Sequence, residues 1–241
     1  MENRHSRTLL LLGEEAQTRL EKATVAVVGL GAVGGFALEA LARSGIGRLR
    51  LVDFDRFEES NLNRQILATT ESLGRPKTEI AAERLRLIAP GTQTEIRTLF
   101  FSKETADGVL LPKPDAVIDA IDSLEAKADL IEACVRHGIP VFSSMGAALR
   151  TDADAVRTGN LFKTEVCPLA RKLRTLLRQR GVSAPVFCVY SVQPPVAAIG
   201  NRTETDEPGS RRPLGSLSTL PAIFGLRLAH EVIMRIAEDR L

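Results

Sequence analysis

The chain has 241 residues, 44% of them apolar and 26% charged, with a formal net charge of +2. That length suffices for one large α/β domain with a sizeable core, and the composition is that of an ordinary globular protein. A charge so near balance excludes a uniformly basic nucleic-acid binder, so any contact with nucleic acid must come from a local patch. Cys134, Cys167 and Cys188 form no CxxC pair, and His5, His137 and His230 are scattered. Neither a disulfide framework nor structural zinc is therefore expected. No stretch reaches the roughly 20 apolar residues of a membrane span, and the apolar run at 9–12 is too short for a signal-peptide core. The expectation is a cytoplasmic chain with no membrane association.

Residues 1–22 read as a helical arm, 23–146 as a nucleotide-binding core and 147–241 as a substrate-facing C-terminal part of one domain. Residues 24–28 are a continuous apolar run into glycine, as in a strand buried on both faces of a parallel sheet. Small and apolar residues at 36–43 predict a helix packed on that strand, and 48–53 a second strand. Helical spacing over 75–88 stops at Pro90. Strands are predicted at 94–99, 115–119 and 140–144, with a helix at 126–135. This alternation predicts a doubly wound, Rossmann-like, mostly parallel sheet continued by antiparallel strands. Beyond 146 the pattern becomes irregular: a strand at 155–162, an amphipathic helix at 168–180, a strand at 185–192 and a long helix at 221–236. Residues 201–215, rich in Pro, Gly, Thr and charge, read as a loop.

The chemistry sits after the first two strands. Gly29 permits a tight strand-to-helix turn, Gly31 lets a phosphate or ribose approach the backbone, and Gly34 and Gly35 allow close helix packing. Asp53 follows 19 residues beyond Gly34, near the spacing at which an acid accepts hydrogen bonds from ribose hydroxyls. The glycine run and Asp53 alone would suit a nicotinamide coenzyme. Ser60, Asn61, Asn63, Arg64 and Gln65 exceed that need and point to a triphosphate. Asp55 and Glu58 either orient Arg64 or cap the turn. Lys77 falls at a helix start, a poor place for a cation unless an anion offsets the dipole. Asp119 and Asp122 lie where the fourth parallel strand ends; of these Asp122 is the candidate for Mg²⁺, and Ser123 or Asp122 the candidate helix cap. Arg171, Lys172, Arg174 and Arg178 form a stripe able to follow a phosphate backbone or simply to face solvent. Cys167 reads as a spectator thiol at a helix start, and Cys188 as packing.

Residues 29–35, 53–65, Lys77 and Asp122 together resemble the ThiF/MoeB/HesA superfamily, the adenylating enzymes related to ubiquitin-activating enzymes. The run Ser60-Asn61-Leu62-Asn63-Arg64-Gln65 is the most specific part of the likeness. The resemblance implies ribose binding by Asp53, phosphate binding by Arg64 and Lys77, Mg²⁺ at Asp122, and Arg7 supplied across a homodimer interface to the partner's ATP. Sulfur-carrier-activating members commonly carry two CxxC pairs for zinc, which this chain lacks. Residues 4–15, 119–123, 167–174 and 188–191 are similar instead to the branch that dehydrates threonylcarbamoyladenosine in tRNA. That likeness implies ATP-dependent adenylation of a carboxylate on tRNA, cyclisation with loss of water, and release of AMP and pyrophosphate. The alternatives are a sulfur-carrier adenylyltransferase, with its sulfur-relay partner, an NAD-dependent dehydrogenase, and a non-catalytic tRNA-binding scaffold.

Overall fold

The computed structural model describes residues 4–197 and 214–241. The 201–215 loop expectation lies, save its last two residues, outside them. Two short helices, α1 (Ser6–Leu12) and α2 (Glu14–Lys22), precede strand β1 (Thr24–Val28). Then follow α3 (Gly34–Arg43), β2 (Arg48–Val52), α4 (Lys77–Ile88), β3 (Gln93–Arg97), α5 (Ala106–Leu110) and β4 (Ala116–Asp119). The chain continues through α6 (Leu124–His137), β5 (Val141–Ser144), β6 (Val156–Asn160), α7 (Pro168–Gln179), β7 (Phe187–Ser191) and α8 (Thr219–Ala237).

Among the described residues, seven strands form one sheet in the order β3-β2-β1-β4-β5-β7-β6. Every pairing is parallel except β6 with β7. The expected antiparallel continuation is thus a single edge strand, because β7 returns from α7 and joins β5 in parallel before β6 pairs outside it. The strand order reverses between β1 and β4, the point at which open α/β sheets form ligand crevices.

The two-residue period of the strands builds a core on each face. On β1, Val25 and Val27 pack with residues of α2, α3, α4 and α8, while Ala26 and Val28 pack with α5, α6 and α7. On β4, Ala116 and Ile118 take the first face and Val117 the second. Such side chains stabilise the fold by about 1.5–3 kcal/mol each when they are as large as Val or Leu. Both cores hold the sheet against helices and leave the strand ends free at its carboxyl edge. Among the described residues, no helix is long and apolar enough to cross a membrane.

Candidate active site

The crevice floor is made where β1 and β4 end. Gly29 has φ +92°, and a Cβ there would sit 2.6 Å from the Ala120 carbonyl oxygen. A Cβ at Gly34 would lie 1.7 Å from the Gly29 oxygen. These two positions require glycine, one for its left-handed turn and the other for the approach of α3 to that turn. Gly31 differs: its nearest neighbour would be Gln65 Nε2 at 3.8 Å, so the space above it is open to a ligand. Gln65 is buried beside it, and Gln65 Oε1 has no donor among the described residues.

Asp53, just past β2, clips this turn in place. Its Oδ2 accepts from the Leu30 N–H at 2.6 Å and its Oδ1 from the Asp55 N–H at 2.8 Å. A carboxylate has about four acceptor positions, so two backbone donors leave room for ribose hydroxyls. Burial raises the Asp53 pKa above the usual carboxylate value, and Lys77 and the two N–H donors oppose that rise only in part.

Asp55 does not orient Arg64. It accepts instead from Lys77 Nζ at 3.0 Å, and so supplies the anion that makes a lysine tolerable at the first residue of α4. Lys77 is 6% exposed and lies 5.9 Å from the Phe57 ring centroid. Glu58 does serve the turn, in a reciprocal cap with Asn61 around the 3₁₀ turn Glu59–Asn61. Asn61 Nδ2 also donates to Ser60 Oγ at 3.3 Å. Arg64 Nη1 donates to the Ser60 carbonyl at 2.7 Å and to Asn63 Oδ1 at 2.9 Å, which folds the guanidinium back over its own loop. Asn63 Nδ2 reaches the Ser216 carbonyl at 3.2 Å and joins this loop to the segment leading into α8.

Across the crevice, Asp119 and Asp122 separate into two roles. Asp119 is wholly buried: Lys127 Nζ donates to its Oδ2 at 2.7 Å and Ser143 Oγ to the same oxygen at 2.5 Å. It is thus an internal ion pair, removed from any ligand. Asp122 is exposed in the β4–α6 turn and makes no hydrogen bond among the described residues. Ser123 stands at the cap position of α6, yet its hydroxyl makes no capping bond. Among the described residues, no three His, Cys, Asp or Glu side chains gather as a metal site. A single exposed carboxylate with no hydrogen bond among the described residues nevertheless fits Mg²⁺, which takes one or two carboxylates together with phosphate oxygens and water.

Arg7 lies elsewhere. It is an exposed residue of α1, and its neighbour His5 packs on Gly45 in the turn that enters β2. That turn is at the amino edge of the sheet. A five-residue strand of about 16 Å separates it from the crevice of the same chain.

Residues 4–240 match the ThiF family. The chain belongs to the ThiF family. It is 35% identical over 245 residues to the tRNA threonylcarbamoyladenosine dehydratase of Bacillus subtilis (strain 168), covering 99% of this chain and 96% of that protein. The crystal structure of the E. coli tRNA N6-threonylcarbamoyladenosine dehydratase, TcdA, in complex with ATP, superposes with a TM-score of 0.88 at 34% identity, covering 98% of this chain and 94% of that one. A sulfur carrier protein adenylyltransferase of Thermus thermophilus is 32% identical over 234 residues, 96% of this chain and 76% of that protein.

In this ThiF-family chain the basic stripe is narrower than its helical spacing suggests. Arg174 turns inward and donates to the Thr164 carbonyl at 2.9 Å, with a second bond to Thr164 Oγ1. Arg171, Lys172 and Arg178 remain exposed, Arg178 over the Phe162 ring at 5.7 Å. Cys167 occupies the cap position of α7 but is only 2% exposed, and Cys188 is wholly buried. One residue that the sequence reading missed is Lys127. Its only sequence signal is a lysine among the apolar positions of α6, and the partner that explains it comes from another strand.

Proposed function

We propose that the chain is an ATP-dependent enzyme that adenylates the carboxylate of threonylcarbamoyladenosine in tRNA and then closes it into a ring. One carboxylate oxygen attacks the α-phosphorus in line, and the bond to the β-phosphate oxygen breaks, releasing pyrophosphate. A nucleophile within the same modification then attacks the acyl carbon, AMP leaves, and the substrate has lost the elements of water. No external nucleophile is required, which suits a fold whose three described thiols are all buried.

The observation that carries this reading is the pairing of an open backbone position at Gly31 with a buried lysine, Lys77, at the start of a helix on the same crevice. Asp53 would accept from the ribose, and the backbone about Gly29, Gly31 and Gly34 would follow the phosphates. Ser60, Asn61, Asn63, Gln65 and Ser123 would line that path. Arg64 and Lys77 would spread the developing negative charge, Lys77 by exchanging its exposed partner Asp55 for a phosphate oxygen. Asp122 would hold Mg²⁺, whose chemistry is charge neutralisation on the polyphosphate. Arg7 would come from the second copy of a homodimer, since its own crevice lies at the far edge of the sheet. An arginine so inserted is worth roughly 10³ to 10⁵ in rate in other phosphoryl-transfer systems. Arg171, Lys172 and Arg178 would meet the RNA backbone.

The test is mass spectrometry of tRNA nucleosides after incubation with the protein and ATP–Mg. Threonylcarbamoyladenosine should lose the mass of one water as AMP accumulates; AMP formation without that loss would refute the substrate. The 32% identity to a sulfur carrier protein adenylyltransferase favours a second reading, in which the acceptor is a carrier protein's C-terminal carboxylate within a sulfur relay. ATP–pyrophosphate exchange that requires such a protein, and not tRNA, would select it.

A further inference from the structure

Among the described residues two arginines are buried, in opposite circumstances. Arg50, wholly out of solvent on β2, donates to Glu95 Oε2 at 2.7 Å and to the carbonyls of Val109 and Pro112 at 2.6 and 3.1 Å. Arg150 is 3% exposed, yet its Nε and Nη1 find no acceptor among the described residues. A guanidinium keeps its charge at any working pH, so burying it without an anion is costly unless a ligand provides one.

The backbone around Arg150 is held on both sides. Leu149 adopts a left-handed φ of +56°, uncommon for a residue with a side chain. Its N–H donates to the Gly215 carbonyl at 2.9 Å, and its own carbonyl accepts from Val196 at 3.0 Å. The N–H groups of Thr151 and Asp152 both donate to Gln193 Oε1, at 2.9 and 3.1 Å. The segment beyond Gly215 is the one whose Ser216 carbonyl accepts from Asn63, in the loop proposed to line the triphosphate path. Arg150 is thus fixed by the same stretch of chain that touches the nucleotide loop.

Its position along the sheet edge says which anion it would meet. Arg150 lies six residues past the end of β5, and β5 is the neighbour of β4. Reading across the carboxyl edge from β2 through β1 and β4 to β5, the residues are Asp53, the glycine turn, Asp122 and Arg150. On the adenylation reading, on which this inference rests, those positions serve ribose, phosphates, metal and then the group that attacks the α-phosphorus. That group is a carboxylate, a planar anion whose oxygens match the donor fork of a guanidinium.

We propose that Arg150 binds the threonylcarbamoyl carboxylate. Its N–H groups hold one oxygen, while a lone pair of the other forms the bond to the α-phosphorus. Arg150 takes and gives no proton; it is a substrate-binding residue that selects the modified adenosine from the unmodified one.

Arg150→Met and Arg150→Lys test this against the wild type. The wild type should bind tRNA carrying threonylcarbamoyladenosine more tightly than the same tRNA without it. Arg150→Met should lose that preference and raise KM for the modified tRNA roughly tenfold to a hundredfold, the worth of a charge-assisted pair. Arg150→Lys should recover part of it. ATP–Mg affinity by calorimetry should stay unchanged in both, and the melting temperature of Arg150→Met should be no lower than that of the wild type. A lower melting temperature would mean that the guanidinium serves the fold, and would overturn the proposal. Equal weakening toward both tRNAs, with a shallower salt dependence, would assign Arg150 to an RNA phosphate and overturn it as well. An unchanged preference would do the same. A wild type that binds no ATP–Mg would instead remove the adenylation reading, and this assignment with it.

Discussion

Lys127 Nζ lies 2.7 Å from Asp119 Oδ2, with neither side chain reaching solvent. The other Asp119 oxygen accepts from the Ile121 N–H at 3.1 Å. The pair therefore shapes the turn that carries Asp122 without meeting a ligand itself. Removing one partner of a buried ion pair leaves an uncompensated charge, which costs about 3–5 kcal/mol. Lys127→Met should lose that much in urea denaturation, and nucleotide affinity should fall with it as the turn loosens. A denaturation midpoint equal to that of the wild type would show that the pair has no such weight.

Two glycines of one turn should respond in opposite ways. At Gly34 a methyl group would meet the Gly29 carbonyl at 1.7 Å, so Gly34→Ala should destabilise by more than about 3 kcal/mol. At Gly31 the nearest atom lies 3.8 Å away. Gly31→Ala should melt like the wild type while binding ATP roughly tenfold more weakly or worse, because the added methyl would stand where the proposed site brings the nucleotide to the backbone. Calorimetry beside thermal melting separates the two effects. A Gly31→Ala protein with native ATP affinity would place the nucleotide elsewhere.

The raised pKa of Asp53 sets a pH dependence whose sign can be worked out. Burial is the principal cause of the rise, so the folded chain takes up this proton more readily than the unfolded one. The group's contribution to stability is complete below the ordinary carboxylate value and is lost as pH climbs through the raised one. Ribose binding by Asp53, as proposed, would run the other way, because it needs the ionised acceptor. ATP affinity should therefore weaken on acidification above the ordinary carboxylate range, and the wild-type curve should differ there from that of Asp53→Asn. Since the nucleotide's own titration is common to both proteins, curves that coincide would count against Asp53 as the ribose acceptor.

If Arg7 serves its partner's crevice, two inactive variants should rescue each other. On that reading Arg7→Ala lacks the inserted arginine, and Asp122→Ala the carboxylate proposed to hold the metal. A mixed dimer has one crevice that combines an intact Arg7 with an intact Asp122. Random exchange of equal amounts should restore about a quarter of wild-type turnover, since half the dimers are mixed and each has one complete site. AMP release after mixing measures it. No recovery, with exchange confirmed by native mass spectrometry, would mean that Arg7 does not serve the crevice of its partner.

The legible parts of this molecule were those whose meaning is local. The glycines at 29–35 declare themselves because a tight strand-to-helix turn needs fixed residues at fixed spacing, and Asp53 because it falls where the next strand ends, beside that turn. Strands such as β1 are visible as short apolar runs. Asp119 could not be told from Asp122 in the same way, because what distinguishes them is Lys127 and Ser143, brought in from α6 and β5. Arg174 belongs to the basic stripe by helical angle, yet the loop packed beneath α7 turns it toward Thr164. The partner of Asp55, 22 residues away, depends on how the intervening loop folds back. The place of β7 between β5 and β6 is a matter of chain return, to which no strand pattern is sensitive. Arg150 follows an Ala-Ala-Leu run with nothing periodic about it, and only its burial marks it out.

The cysteines have a consequence for handling the protein. Cys134 sits within α6, Cys167 at the head of α7 and Cys188 on β7, each at most 2% exposed. Burial pushes the Cys188 thiol up to about 12, and that of Cys134 upward as well. A maleimide therefore labels these positions only in molecules that have opened. Mapping which of them is alkylated first, and how fast, would time the loosening of that flank of the sheet from inside, with no dye or tag engineered in.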